Sequence, residues 1–451
     1  MASTPNESDT TRQRHRALAL NFAQAALAAV EPASAVRSHF RIAGDILQVD
    51  GRQYDLNRFR NVFVVGGGKA TAPMAREVER VLGSRIRDGL ITVKYGHQLP
   101  TERIRVEQAG HPIPDDRAVS ATENMLGLVQ GAGPDDLVIC LLSGGGSALL
   151  VAPADAISLA DKRRVTNALL RSGATINEIN TVRKHLSRIK GGGLARAAYP
   201  ATIITLILSD VLGDPLDVIA SGPTVPDTTT YADAWEVIER HSLVDDLPPA
   251  IAEHLRAGRD GKIPESPKPG DPIFEKTQNV IIASNRQAVQ AAVDAALLAG
   301  YHPLLLSTFI EGEAREVAQV FAAIGREICQ SNNPIPRPAV IVAGGETTVT
   351  VKGQGRGGRN QEFALAAAIH LEGLDDVTIM GLATDGSDGP TSAAGAIVDG
   401  STVGRALAQG MNPRAFLADN DSNTFFQRLG DLIVTGPTNT NVDDLYVIIV
   451  G

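Results

Sequence analysis

Aromatic side chains are scarce in this chain, making up 4% of 451 residues with a single Trp. Bases of single-stranded nucleic acid stack on such rings, so no stacking platform is expected. Positive charge is also short: 42 Lys and Arg stand against 51 Asp and Glu, a formal net charge of -9. That counts against nucleic acid as a partner, although not against a locally basic pocket for an anionic metabolite. The two cysteines, Cys140 and Cys329, sit in apolar runs without metal-ligand spacing and read as buried thiols of a reducing compartment. His111, His185 and His241 show no zinc spacing. No apolar run reaches the ~20 residues of a membrane span. The opening stretch MASTPNESDTTRQRHR lacks the apolar core of a signal peptide and is expected to be a frayed polar lead. A cytoplasmic protein with no membrane contact is the expectation.

What is present is globular, with 43% hydrophobic residues, and too long for one ordinary core, so two domains are expected. Short apolar runs at 62–65, 90–93, 137–142 and 203–208 read as buried strands. Helical patterns lie at 17–30, 74–82, 115–129 and 180–190, and Ser158 with Asp161 forms a capping-box signature for another helix. The alternation predicts a mostly parallel α/β sheet. Six prolines among charges at 245–275 read as an inter-domain connection. The pattern then resumes with strands at 280–283, 304–307, 377–382 and 445–450 and helices at 287–298 and 314–330. The expected domains are therefore 12–244 and 276–451.

Three glycine-rich turns follow strands. Gly66-Gly67-Gly68-Lys69 precedes a helix, which suits a phosphate cradle of backbone N–H groups and one point charge. It is not a Walker A motif, because the fourth intervening residue and the Ser or Thr after the lysine are missing. Nor is it a dinucleotide fingerprint, because Thr71 stands at the last glycine position and the next strand ends in Lys94-Tyr95, not in an acid. A structural turn with an exposed lysine is the alternative. Ser143-Gly144-Gly145-Gly146-Ser147 repeats the arrangement on another strand. The densest stretch is 344–362, GGETTVTVKGQGRGGRNQE, between an apolar strand and a helix with Asn360 near its N-cap. Its Glu346, Lys352, Arg356 and Arg359 could include arginines that hold a phosphate or carboxylate in two-point fashion. Arg183 and Lys184 precede another glycine run as further anion-contact candidates. Asp210, Asp214 and Asp217, and Asp385 and Asp388, follow strands. There they could share magnesium with a nucleotide phosphate, act as a base, or simply cap turns.

Several blocks in order, VVGGGKAT, LLSGGGSALL, NTVRKHLSRIKGGGLA, LSDVLGDPLDVIASGPTVPD, GGETTV, GRGGRNQEFAL, ATDGSDG and GPTNTNVDDL, resemble glycerate 2-kinases of the MOFRL type from about residue 15 onward. The resemblance implies a Rossmann-like N-terminal domain, an α/β MOFRL C-terminal domain, an active site in the cleft between them, and ATP with Mg2+ as phosphoryl donor to D-glycerate. It implies catalytic or phosphate-handling roles for Lys69, Arg359 and Asn285. Asp210 joins them as a catalytic or, with Asp385, metal-binding candidate. Gly67, Gly68, Ser143, Gly145, Gly146, Ser147, Arg183, Glu346 and Arg356 complete the expected substrate and phosphate contacts. Some family members are called hydroxypyruvate reductases. An NAD(P)H-dependent reductase and a non-catalytic small-acid sensor are therefore the competing functions. Monomer and homodimer both stay open.

Overall fold

The computed structural model describes residues 7–374 and 376–451. The chain forms two compact units, Pro32–Ile282 and a second made of the residues up to Glu31 together with Ala283–Gly451. These bounds differ from the expected 12–244, 245–275 and 276–451 at both ends of the first domain.

The Pro32–Ile282 unit begins with a small antiparallel sheet of β1 (Phe40–Ala43), β2 (Ile46–Val49) and β3 (Arg52–Asp55). Its main sheet comprises β4 (Asn61–Gly67), β5 (Ile86–Lys94), β6 (Ile104–Ala109), β7 (Asp136–Leu142), β8 (Thr202–Leu208) and β9 (Thr277–Ala283), in the order β6-β5-β4-β7-β8-β9. Neighbours from β6 to β8 run parallel. Strands covered on both faces need no polar side, and every residue of β7 (DLVICLL) is buried accordingly. Counted from β4, the order is the 3-2-1-4-5-6 of dinucleotide-binding sheets. Its topological switch point lies between β4 and β7, beside the two glycine turns.

Local signals start the helices where the chemistry demands. Ser158 caps Leu159–Arg171 in a complete capping box with Asp161, and Thr175 with Glu178 does the same for Ile176–His185. That second cap starts the basic helix four residues before the expected 180–190 and leaves 186–190 outside it. The 245–275 region is no connection between units. Pro249–Arg259 is a helix packed on Tyr231–Arg240 with Ile251 and Leu255 buried, and Glu265 accepts a hydrogen bond from the Tyr231 backbone N–H at 3.0 Å. Pro248 and Pro249 open that helix and Pro272 opens a short 3-10 turn, so these prolines start helices instead of separating domains.

The other unit holds a mixed sheet of β10 (His302–Glu313), β11 (Ala339–Thr348), β12 (Val377–Ala383), β13 (Gly395–Asp399), β14 (Leu432–Ile433) and β15 (Asp444–Val450). The order is β10-β11-β15-β12-β13-β14, so the final strand fills the centre of its sheet, antiparallel to β11 and β12. Helix Arg359–Leu371 (RNQEFALAAAIHL) packs against helix Ala314–Ser331, β12 and β13. Its alanines allow that close approach, and a helix apolar on nearly every side belongs inside a core. The N-terminal segment is not frayed from residue 7 onward: Glu7–Ala29 is one helix packed on Asn285–Leu298. His15 Nδ1 lies 3.2 Å from Thr378 Oγ1 and Arg16 donates to Asp431 at 3.3 Å. Residues 1–6 of the expected polar lead fall outside the described residues. Among the described residues no helix is long and apolar enough to cross a membrane.

Candidate active site

At the switch point the two glycine turns lock onto each other. The Lys69 backbone N–H donates to Gly144 O at 2.8 Å. Ser143 Oγ accepts from the Ala70 backbone N–H at 3.0 Å and lies 3.2 Å from Thr71 Oγ1, so it serves the start of helix Thr71–Leu82. The hydroxyl expected to touch substrate is thus turned inward. Gly68, at φ +149, explains its own identity, because a Cβ there would lie 2.1 Å from Ser143 Oγ and 2.5 Å from Ser143 O. Gly67 packs on Leu150, and Gly146 on Ala220. Ser147 Oγ lies 2.8 Å from Ser221 Oγ, which in turn donates to Asn180 at 3.1 Å. Asp210 reaches the same place from the end of β8: a Cβ on Gly144 would lie 2.2 Å from its Oδ2. Lys69, Gly144, Gly145 and Asp210 are therefore brought together. Asp217 is not part of this group; it pairs with buried Lys184, which also faces Asp227.

Beside this point a cavity of about 390 Å³ opens, lined by Gly145, Ser147 and Arg183 among others. Three further lining residues, His111, Lys162 and Lys190, were not expected in a site. Lys162 is 8% exposed and Lys190 3% exposed. Each ammonium has only a backbone carbonyl among the described residues, Leu186 O at 3.0 Å and Ser147 O at 2.9 Å respectively. Burial, then the nearby Arg183 charge, pushes Lys162 down to about 7. Burial, Lys162 and Arg183 push Lys190 down as well. His111 sits against Gly145, and burial followed by the Lys69 charge pushes it down to about 4, so it is neutral at pH 7. One sequence signal was available: Lys162, Val165 and Leu169 share the buried stripe of one helix, and a lysine there is out of pattern.

The second unit carries the other expected residues. Arg359 opens its helix and grips Asp444 at two points, Nε to Oδ2 at 2.6 Å and Nη2 to Oδ1 at 3.0 Å, with Nη1 on Glu346 at 2.7 Å. The two carboxylates raise the guanidinium's already high pKa further, against the effect of burial. Asp444 is pushed up to about 6 by complete burial, which leaves it ionised against Arg359 at neutral pH. Asn360 lies near the N-cap as expected: it is the second helical residue, and Gly358 is the N-cap itself. Asp388 supplies the missing cap from outside, accepting from the Asn360 and Gln361 backbone N–H groups at 3.1 and 2.8 Å. Asn285 is buried and donates to Val442 O at 2.7 Å and Asp444 O at 2.9 Å, steadying the start of β15.

The glycine-rich loop after β11 has other duties than the anion cradle its composition suggested. Lys352 and Gly353 N–H groups donate to Asn420 Oδ1, Gln354 N–H to Asp419 and Arg356 N–H to Asp421. Its glycines are needed for contact with that loop: a Cβ on Gly353 would lie 2.2 Å from Asp419 O. Arg356 donates to Pro390 O at 3.0 Å. Asp385 accepts from Ser387 N–H at 2.9 Å in an Asx turn. Asp210 and Asp385 belong to different units. Among the described residues no three His, Cys, Asp or Glu side chains gather as a metal cluster.

The fold is that of a two-unit α/β protein with a doubly wound sheet, and sheets of this order bind ligands at their carboxyl edge. Residues 18–256 match the family model described as a domain of unknown function (DUF4147), and residues 339–444 match the MOFRL family. A protein of Agrobacterium vitis, provisionally named a hydroxypyruvate reductase, is 48% identical over 86% of this chain and 87% of its own. A D-glycerate 2-kinase of Thermotoga maritima is 43% identical over 86% of this chain and 90% of its own. The crystal structure of a glycerate kinase from the same organism matches with a TM-score of 0.88 at 39% identity, covering 97% of this chain and all of that one. The chain belongs to the glycerate 2-kinase family of the MOFRL type.

Proposed function

We propose that this protein is an ATP-dependent D-glycerate 2-kinase. The observation that carries the reading is the pair of interlocked glycine turns at the switch point, with the Lys69 cation and the Asp210 carboxylate beside them. Phosphoryl transfer asks for positioning and charge stabilisation more than for covalent chemistry, and this arrangement offers both. The C2 hydroxyl of glycerate attacks the γ-phosphorus, the bond to the β-phosphate oxygen breaks, and ADP leaves. The hydroxyl proton goes to Asp210. Lys69 offsets charge developing on the transferred group. Neutral His111 can donate or accept one hydrogen bond beside Lys69 without adding charge.

Magnesium enters this reading as part of the nucleotide substrate. One carboxylate at the end of β8, with no built cluster of three ligands among the described residues, fits an ion that arrives on phosphate oxygens and keeps several waters. Asp385 fits that role less well, since its Oδ1 is engaged with the N–H and hydroxyl of Ser387. Arg359 is proposed to stabilise phosphoryl charge through the guanidinium edge that Asp444 and Glu346 orient. Asn285 is proposed as a positioning residue for that network.

The reductase reading shares the sheet order of dinucleotide-binding proteins. Against it stand Lys94 at the end of β5, where an acid would hold a ribose, and Thr71 in place of the final fingerprint glycine. The deciding experiment is NMR analysis of the products from ATP, magnesium and D-glycerate. A 2-phosphoglycerate signal is expected. The 3-phospho isomer would overturn the regiochemistry. Absence of phosphorylated glycerate, together with NAD(P)H oxidation by hydroxypyruvate at 340 nm, would replace the kinase with the reductase.

A further inference from the structure

The cavity beside the switch point presents cations without counter-ions. None of its lining residues is acidic, yet Lys162, Arg163, Arg183 and Lys190 all face it. Arg183 has no hydrogen-bond or ion-pair partner among the described residues, and Arg163 Nε is buried without one. Cations in such a state are costly unless a ligand completes them. A single carboxylate cannot neutralise this group, whereas a chain of phosphates can.

The other end of the cavity has a different character. Lys162, Thr166 and Leu170 lie four residues apart on helix Leu159–Arg171 and all line it. Along this one face the surface passes from cation through hydroxyl to exposed leucine over about 12 Å, at 1.5 Å per residue. Leu170 is 57% exposed and Ile113, also lining the cavity, 67% exposed, while Asn167 adds an amide between them and the cations. Exposed apolar side chains at the mouth of a cavity that holds buried cations mark a surface that a flat, partly apolar group covers.

We propose that this cavity seats a nucleoside polyphosphate, with its phosphates on Lys162, Arg183 and Lys190 and its base against Leu170 and Ile113. The gradient along the helix carries the inference: cations alone would fit any polyanion, and the apolar lip selects one bearing a base. Identification of that nucleotide with the phosphoryl donor rests on the kinase reading above. The cavity lies next to Gly145 and Ser147 of the second glycine turn, where a terminal phosphate would approach Lys69.

The test is calorimetric binding of ATP and of inorganic tripolyphosphate to the full chain, alongside the steady-state KM for ATP. ATP and tripolyphosphate should compete. Arg183→Gln should weaken both by about tenfold or more, the loss of a charge-assisted contact. Leu170→Glu, at an exposed position that threatens no fold, should weaken ATP but spare tripolyphosphate. Unchanged ATP affinity in both variants, or tripolyphosphate that binds without displacing ATP, would overturn the proposal. Glycerate phosphorylation with an ATP KM indifferent to both substitutions would sink the cavity assignment and leave the kinase standing. Weakened ATP binding in a protein that phosphorylates no glycerate would do the reverse.

Discussion

Replacing Lys162 by methionine should stabilise the protein at neutral pH while weakening its hold on ATP. Methionine keeps the length and packing of the side chain and removes the ammonium. Burial with Arg183 nearby pushes Lys162 from 10.5 down to about 7, so folding disfavours its charged form. The sign follows: between pH 7 and 10.5 the unfolded chain holds a proton that the native state has shed, so this group's contribution to stability rises with pH. It is lost as pH falls from 10.5 to about 7 and does not change further below that. A fall from 10.5 to about 7 corresponds to roughly 4–5 kcal/mol at 1.36 kcal/mol per pH unit. Against that gain, methionine gives up the hydrogen bond to Leu186 O and strands that carbonyl, a loss of about 1–3 kcal/mol. The net at pH 7 is a stabilisation of about 1–4 kcal/mol, or roughly 3–12 °C in Tm for a unit of this size. The charges facing Lys162 are Arg163, Arg183 and Lys190, with His111 neutral at this pH. The difference between variant and wild-type melting curves isolates Lys162 and its coupling to Lys190 and Arg183. Scanning calorimetry from pH 6.5 to 10 should show the variant ahead at pH 7, with the advantage vanishing near pH 10. A variant less stable than wild type at pH 7, with a difference that ignores pH, would refute the idea of an uncompensated buried cation.

Other expected outcomes test separate parts of the molecule. Lys69→Ala should lower kcat for glycerate phosphorylation by about 10²–10³, the usual effect of one preorganised donor, with an unaltered melting curve. Ser143→Ala leaves the Ala70 N–H without its acceptor, and denaturant titration should show a loss of about 1–2 kcal/mol. Gly358→Ala would set a Cβ 2.3 Å from the Asp388 carboxyl carbon and drive that cap off helix Arg359–Leu371. A loss of at least about 2 kcal/mol should follow in the same titration, and a neutral result would argue against Asp388 as the cap.

The α/β alternation was legible because parallel strands are buried on both faces and announce themselves as unbroken apolar runs, as 137–142 does for β7. Capping chemistry was equally plain at Ser158, where a side chain bonds its own helix three residues away. What escaped were features decided across the chain. β13 (GAIVD) is too short to stand out, and the 245–275 prolines look like a linker until helix Pro249–Arg259 is seen packed on its neighbour. Glycines carried a similar ambiguity. Those at 66–68 and 353–358 look alike in sequence, yet the first group meets a neighbouring turn at the switch point while the second is consumed by the 419–421 loop.

The same distinction explains why the cavity was hidden. Sequence reading ranks a charged residue by its neighbours in the chain, and by that measure Arg183 and Lys184 are equivalent. In the structure Lys184 has Asp217 and Asp227, whereas Arg183 has no partner among the described residues. One is a structural ion pair and the other a cation held for something else. Asp217 and Asp227 lie 33 and 43 residues further along the chain from Lys184, so only tertiary structure reveals which charge is already matched. Arg359 shows the converse. Its conspicuous place in GRGGRNQE suggested a free anion ligand, but Asp444, 85 residues away, occupies two of its donors. A guanidinium held that firmly cannot swing toward an arriving phosphate, so any role in transfer must use the edge left outward. Arg359→Lys should then fail to restore activity even with charge retained, because an ammonium cannot bridge both oxygens of Asp444 and still face outward.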